Sequence, residues 1–162
     1  PLADRLHDLG ARMVGIKCGK LGFFLSTGSA DQMASLGAGA PADPDAWAKR
    51  CFFCETFVPD QILSTTGSGD SSIAGFLAGL LTGRSPEQTL KLACAAGANT
   101  ARVYDTTSGV ETVAQMEAKI AGGWNRNRLD YRGSIWRFDA NRVIWSSQAP
   151  SSSSMMESSS AS

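Results

Sequence analysis

The chain has 162 residues, 43% hydrophobic and 19% charged, which suits one folded domain or part of one and excludes wholesale disorder. Lysine plus arginine balances aspartate plus glutamate at 15 each, so no net charge draws it to nucleic acid or an anionic membrane. No apolar run approaches the roughly 18 residues that span a bilayer, and the N-terminus lacks a basic-then-apolar signal pattern. Without an initiator methionine, the chain is expected to begin inside a longer, cytoplasmic protein. Cys18 and Cys94 sit in apolar segments, where a reduced thiol behaves as a small hydrophobe. Cys51 and Cys54 form a C-x-x-C pair, but zinc needs about four ligands. His7 is the only histidine and there is no second C-x-x-C, so an inert pair is expected and no metal ligands are assigned.

Leu2, Leu6 and Leu9 recur at helical spacing and Gly10 follows as a cap, so residues 2–9 read as the end of a helix. Arg12 to Lys17 is a short apolar run suited to a buried parallel strand. Gly19 and Gly22 bracket a tight turn, and Gly22 to Ser26 reads as the returning strand. Residues 28–50 show no sustained period and read as a surface excursion, with a short strand near Met33. Strand-like pieces follow at Thr56–Val58 and Gln61–Thr65, and Phe52 and Phe53 read as core or edge residues. The clearest helix opens at Gly67-Ser68-Gly69-Asp70, with Ile73, Phe76, Leu77, Leu80 and Leu81 as its core stripe and Gly83 as its stop. Ala74, Gly75, Ala78 and Gly79 are small enough for a neighbour to approach closely.

Ser85, Pro86 and Gln88 form a capping box for the next helix, whose narrow face carries Leu90, Ala93, Cys94, Gly97 and Ala98. A further helix is expected from Val110 to Ile120, with Ser108 and Glu111 as its capping pair. Asp105, Thr106 and Thr107 lie between helices and read as loop-capping residues. Residues 124–145 form a Trp- and Arg-rich extension, irregular or in short β structure. Trp124, Trp136 and Trp145 with their arginines could stack on single-stranded nucleic acid. The zero net charge favours packing instead. The serine-rich tail 146–162 cannot bury enough apolar surface to offset its ordering entropy and is expected to be disordered. The pattern is that of an α/β protein.

The chemistry concentrates at Thr65-Thr66-Gly67-Ser68-Gly69-Asp70, between an extended run and a helix. Its glycines let the backbone bend sharply, and the helix start adds unpaired N–H groups and partial positive charge. That combination favours an anion such as phosphate. Asp70, in the first turn, is placed to accept a proton, as phosphoryl transfer to a hydroxyl requires. On these residues alone a plain structural cap competes. A dinucleotide fingerprint fails at Ser72, a P-loop lacks its Gly-Lys-Ser/Thr, and the aspartate of an aspartic protease triplet is missing. Serine hydrolysis finds only the distant His7.

The same block, continued through Ile73 to Leu81 and Gly83, resembles the second signature of the PfkB carbohydrate kinases. Upstream, Gly10 to Phe23 resembles the family's strand-turn-strand with a Lys-x-Gly-x-x-Gly turn; downstream, Ser85-Pro86-Glu87 and Ala93 to Ala98 resemble its paired helices. The resemblance covers residues 2–120. It implies a ribokinase-like three-layer α/β/α sandwich seen as a C-terminal fragment, with the kinase part at 1–123.

The resemblance further implies ATP-dependent phosphoryl transfer to a hydroxyl of a sugar or sugar-like alcohol. Asp70 would be the catalytic base, and Gly67, Ser68, Gly69 and Asp70 the anion hole. Lys17, Gly19, Gly22, Thr65, Thr66, Gly67 and Gly69 would border the nucleotide, with Mg2+ held through phosphates and water. Ser64 stands where the family often has an aspartate, which counts against activation by a monovalent cation, and Cys94 replaces an asparagine near the base. The expected partners are a small sugar and ATP, with no nucleic acid and no membrane; a homodimer is open. The family's sugar pocket, lid and Asn-x-x-Glu motif precede this region, so the fragment alone is expected to be inactive. The alternative is a non-catalytic nucleotide- or sugar-phosphate-binding module, and a plain structural domain is a second rival.

Overall fold

Met13–Lys17 (β1) and Gly22–Thr27 (β2) form an antiparallel hairpin, closed by one 3-10 turn at Gly19–Leu21. The computed structural model describes residues 2–129 and 136–147. Cys51–Glu55 (β3), Trp136–Asp139 (β4) and Ile144–Ser147 (β5) complete a sheet of order β1-β2-β3-β5-β4, antiparallel at every pair. The apolar run 12–17 is therefore not a parallel strand among the described residues, because the tight turn returns the chain directly alongside it. Gly22 sits at φ 135°, and a Cβ there would lie 2.0 Å from the carbonyl oxygen of Cys54. Only glycine lets β2 cross β3 at this point.

Side chains alternate across the strands. Phe23, Leu25, Phe52 and Cys54 join the main core, while Phe24 and Phe53 meet Trp136 edge-on across the other face. Leu2–Asp8 (α1) leads into β1, and His7 fastens it through Ala11 O (2.6 Å) and Ser26 Oγ (2.9 Å).

The excursion 28–50 holds two short helices, Ala30–Ala34 (α2) and Pro44–Trp47 (α3). Met33 is a buried residue of α2, not a strand; five and four residues are too few to display a helical period. Caps define these helices instead: Ser29 with Gln32, and Asp43 ahead of Pro44. Trp47 meets Phe76 edge-on at 6.1 Å, and Phe76 stacks on Phe23 at 5.6 Å. The excursion thereby closes one side of the core.

Ser68–Leu81 (α4) and Pro86–Thr100 (α5) pack closely, and α5 lies on β2 and β3. A Cβ on Gly75 would come within 2.7 Å of Leu92 O, and one on Gly79 within 2.8 Å of Thr89 Oγ1. The small residues therefore make the contact, and the expected stripe is only half correct. Phe76 and Leu80 are buried, whereas Ile73, Leu77 and Leu81 are 43%, 46% and 61% exposed. Ser85 and Gln88 cap α5 reciprocally, as the capping box predicts.

Thr56–Val58 is not a strand: Phe57 makes a single bridge to Arg126, and Pro59, which has no N–H, follows. Residues 61–65 are also loop, with the N–H groups of Leu63 and Ser64 both directed at Ala101 O. The last long helix is Val113–Ala121 (α6), capped by Thr112 and Gln115 rather than by Ser108 and Glu111. Both pairs fit the capping pattern. Ser108 Oγ is committed to Asp105 (2.6 Å), however, and Glu111 is held by Lys119 and by Asn99 Nδ2 (3.1 Å). Within the extension the expectation of short β structure holds, since β4 and β5 form a hairpin. Ser146 and Ser147 end β5, and the remainder of the expected tail lies outside the described residues. Among the described residues, no helix is long and apolar enough to cross a membrane.

Candidate active site

Gly67 caps α4 in the left-handed conformation, φ 77°, and a Cβ on it would lie 2.8 Å from the Cβ of Thr106. Two steric demands thus coincide on one glycine. The bend aims the first turn of α4 outward. Ser68 folds back on Thr65, its N–H and Oγ both donating to Thr65 O at 3.2 and 2.9 Å. Thr66 N–H is taken by Ser64 Oγ at 3.2 Å. The N–H groups of Gly69 and Asp70 have no hydrogen-bond acceptor among the described residues. They are the orphan donors that a helix start leaves open. Of the four residues expected in the anion hole, Ser68 therefore has its N–H engaged, while Gly69 and Asp70 have theirs free.

Lys17, at the end of β1, reaches across this mouth: a Cβ on Gly69 would lie 2.8 Å from Lys17 Nζ. The Asp70 side chain is exposed and makes no hydrogen bond or ion pair among the described residues. An ammonium, two free N–H groups and an unpaired carboxylate are thus assembled from two distant stretches of chain. Such a set can hold an anion and accept a proton beside it.

Next to the mouth lies a slot of about 270 Å³. Lys17, Gly19, Gly22, Thr65 and Gly69 all line it, so five of the residues expected to border a nucleotide share one wall. Thr66, Gly67 and Asp70 are outside that wall. The slot also takes in Lys20, Phe57, Ile62 and Ala98; Lys20 lies inside the Lys-x-Gly-x-x-Gly turn and Ala98 in the segment resembling the family's paired helices. Phe57 and Ile62 arrive through loop geometry that no local pattern signals. The slot is mostly apolar between its two lysines, which suits a flat ring joined to an anion. Cys94 borders it too, and its buried thiol donates to Cys54 O at 3.4 Å. A thiol–thiol hydrogen bond with Cys54, then burial, hold the Cys94 thiol well above its ordinary pKa, so it is a neutral wall residue.

Asp105, expected to cap a loop, does so. It accepts from Ser108 Oγ and N and from Thr107 N, at 2.6 to 2.9 Å. The Ser108 side-chain and backbone bonds, with the Thr107 N–H, lower its pKa to about 2. This turn keeps Thr106 against Gly67. Among the described residues no group of three or more His, Cys, Asp or Glu side chains could hold a metal ion. Cys51 and Cys54 are free thiols.

A family model described as "pfkB family carbohydrate kinase" matches residues 2–113. Two solved structures share the fold. One, described as a probable sugar kinase from Rhizobium etli CFN 42, aligns at a TM-score of 0.52 and 19% identity, covering 75% of this chain and 31% of that one. A second protein given the same provisional description, from Clostridium perfringens, aligns at a TM-score of 0.56 and 19% identity, covering 79% of this chain and 34% of its own. The chain thus spans about a third of the length of these relatives. Comparison with curated proteins gives no match.

Proposed function

The chain belongs to the pfkB family of carbohydrate kinases, and on that footing we propose that it is the C-terminal, phosphate-handling part of an ATP-dependent kinase acting on a sugar or sugar-like alcohol. One observation carries this reading: the unclaimed N–H groups of Gly69 and Asp70 lie beside Lys17 and an unpaired carboxylate. The γ-phosphoryl oxygens of ATP are the anion proposed for the mouth, where Gly69 and Asp70 donate through the backbone and Lys17 adds charge. Each such donor contributes on the order of 10²–10³ in rate when aimed at charge developing in the transition state. Asp70 accepts the proton of the attacking hydroxyl from the solvent side, a role that contributes about 10²–10⁴.

The apolar slot fits the base, between Phe57 and Ala98, and Lys20 fits a phosphate. Mg2+ would be held through the phosphates and water, where it would neutralise phosphate charge.

Two features support the view that the chain is only part of the kinase. Ile73, Leu77 and Leu81 leave an apolar face of α4 uncovered, and β1 has an unpaired edge among the described residues. A partner sheet supplying the sugar pocket would cover both. The isolated chain is therefore expected to release little or no ADP in a coupled assay with ribose, fructose or adenosine; robust turnover would refute the need for a further part. In the longer protein, Asp70→Asn should lower kcat about 10²–10⁴-fold with ATP binding retained. Unchanged turnover would contradict Asp70 as the base.

A further inference from the structure

Phe57 separates the slot from a larger cavity of about 720 Å³, bounded by the end of β3, by α5, by the segment after α6 and by β5. Among the described residues three cationic side chains line it, Lys91, Arg126 and Arg128, against one carboxylate, Glu55. That carboxylate is already committed. Glu55 is 3% exposed, and its Oε1 accepts from Leu129 N at 2.7 Å and from Trp145 Nε1 at 3.0 Å. Arg126 lies over the Phe57 ring at 4.7 Å, donates to Val143 O at 2.7 Å and touches Cys54 Sγ at 3.6 Å. None of its contacts supplies a full negative charge.

Lys91 and Arg128 make no hydrogen bond or ion pair among the described residues. Burial, and then the neighbouring Arg126, push the Lys91 ammonium below its ordinary pKa. Cys54, Glu87 and Asp139 pull the other way but do not outweigh burial and Arg126, so a further anion would stabilise the ammonium. The other walls are aromatic. Trp124 stacks on Phe57 at 4.9 Å, and its indole N–H is fixed on Val58 O at 2.8 Å; Trp145 is fixed by Glu55. Both indole N–H groups are thus satisfied, Lys119 lies over the Trp124 ring at 5.4 Å, and Phe138 packs on Trp145 at 5.2 Å. Phe138 adds a further ring.

We propose that this cavity is a second ligand site, which binds a small organic anion: a flat unsaturated ring bearing a phosphate or carboxylate. The ring packs among Trp124, Trp145 and Phe138, and the acidic group faces Lys91 and Arg128. Most of this wall lies beyond residue 113, where the family match ends. The site stands whether or not the helix mouth transfers phosphate, since the two share only Phe57 as lining.

The test uses 1-naphthyl phosphate as the probe, with inorganic phosphate, neutral 1-naphthol and 2-naphthoate as comparison arms. Calorimetry gives affinity, and the indole N–H resonances of Trp124 and Trp145 report the location. Naphthyl phosphate should shift both resonances and bind at least about tenfold more tightly than phosphate or naphthol. Naphthoate distinguishes a carboxylate site from a phosphate site. Lys91→Gln should weaken the indole-reported binding about tenfold and Arg128→Gln severalfold, while Lys17→Gln, which can affect only probe held in the slot, leaves the indole-reported binding unchanged. Arg128 is exposed, so its variant carries the test even if Lys91→Gln folds poorly. Equal indole-reported binding of naphthol, wild-type indole-reported affinity in both cavity variants, loss of the indole shifts in Lys17→Gln or unmoved indole signals would each overturn the proposal.

Discussion

Residues 2–113, which the family model matches, and the described residues beyond them build cavities by different means. In the first region the backbone does most of the shaping. Gly22, Gly67, Gly69 and Gly75 each occupy a place where a Cβ would come within 3.0 Å of another atom. The resulting mouth and slot take their polarity from peptide N–H groups and two lysines. In the second region long side chains do the shaping: Trp124, Arg126, Arg128 and Trp145 reach back over β3 and α5. Backbone-built sites are rigid and intolerant of a single added methyl; side-chain-built sites tolerate substitution and lose specific contacts one at a time.

That contrast can be broken. Gly22→Ala should cost about 3 kcal/mol, from positive φ together with the clash on Cys54 O, read as a lower urea midpoint. Arg126→Met removes a guanidinium from Phe57 and Val143 and should cost about 1–2 kcal/mol, with hydrogen exchange increasing first in β5. If Arg126→Met proves more damaging than Gly22→Ala, the division between the two regions is wrong.

The smallest expected effect sharpens the link between the Asp105 turn and the mouth. The Asp105 carboxyl is depressed from 3.8 to about 2 in the fold, so its contribution is complete above about pH 4 and is lost as pH falls through about 2. Amide exchange at Thr107 and Ser108 should accelerate over that window. Exchange that rises near pH 4 instead would mean that the turn does not hold the carboxylate.

Much of the mouth was legible in the sequence because it depends on short-range chemistry. A glycine-bent start at Gly67, the capping box at Ser85 and Gln88, and the turn at Gly19 to Gly22 are local patterns, and each appears in the fold. What failed was whatever distant residues decide. Leu77 is exposed where periodicity placed it in the core, because α5 packs instead on the small-residue face of Gly75 and Gly79. The α6 start slipped from 110 to 113 because Lys119 and Asn99 claim Glu111. The placement of Phe57 in both cavities depends on Arg126 and Trp124, more than 60 positions away.

Of the site residues, Lys17 could be associated with Gly69 only through family resemblance, since one ends β1 and the other begins α4. The orphan state of particular N–H groups was not legible at all. It requires knowing that Ser68 spends its own on Thr65.

The mouth of α4 is most directly tested by titrating the chain with Mg·ATP while following backbone amides by ¹⁵N NMR. Saturable downfield shifts of the Gly69 and Asp70 amides, lost in Lys17→Gln, are expected from donors that gain a phosphate oxygen. Unmoved Gly69 and Asp70 signals, with ATP nonetheless bound elsewhere on the chain, would contradict it.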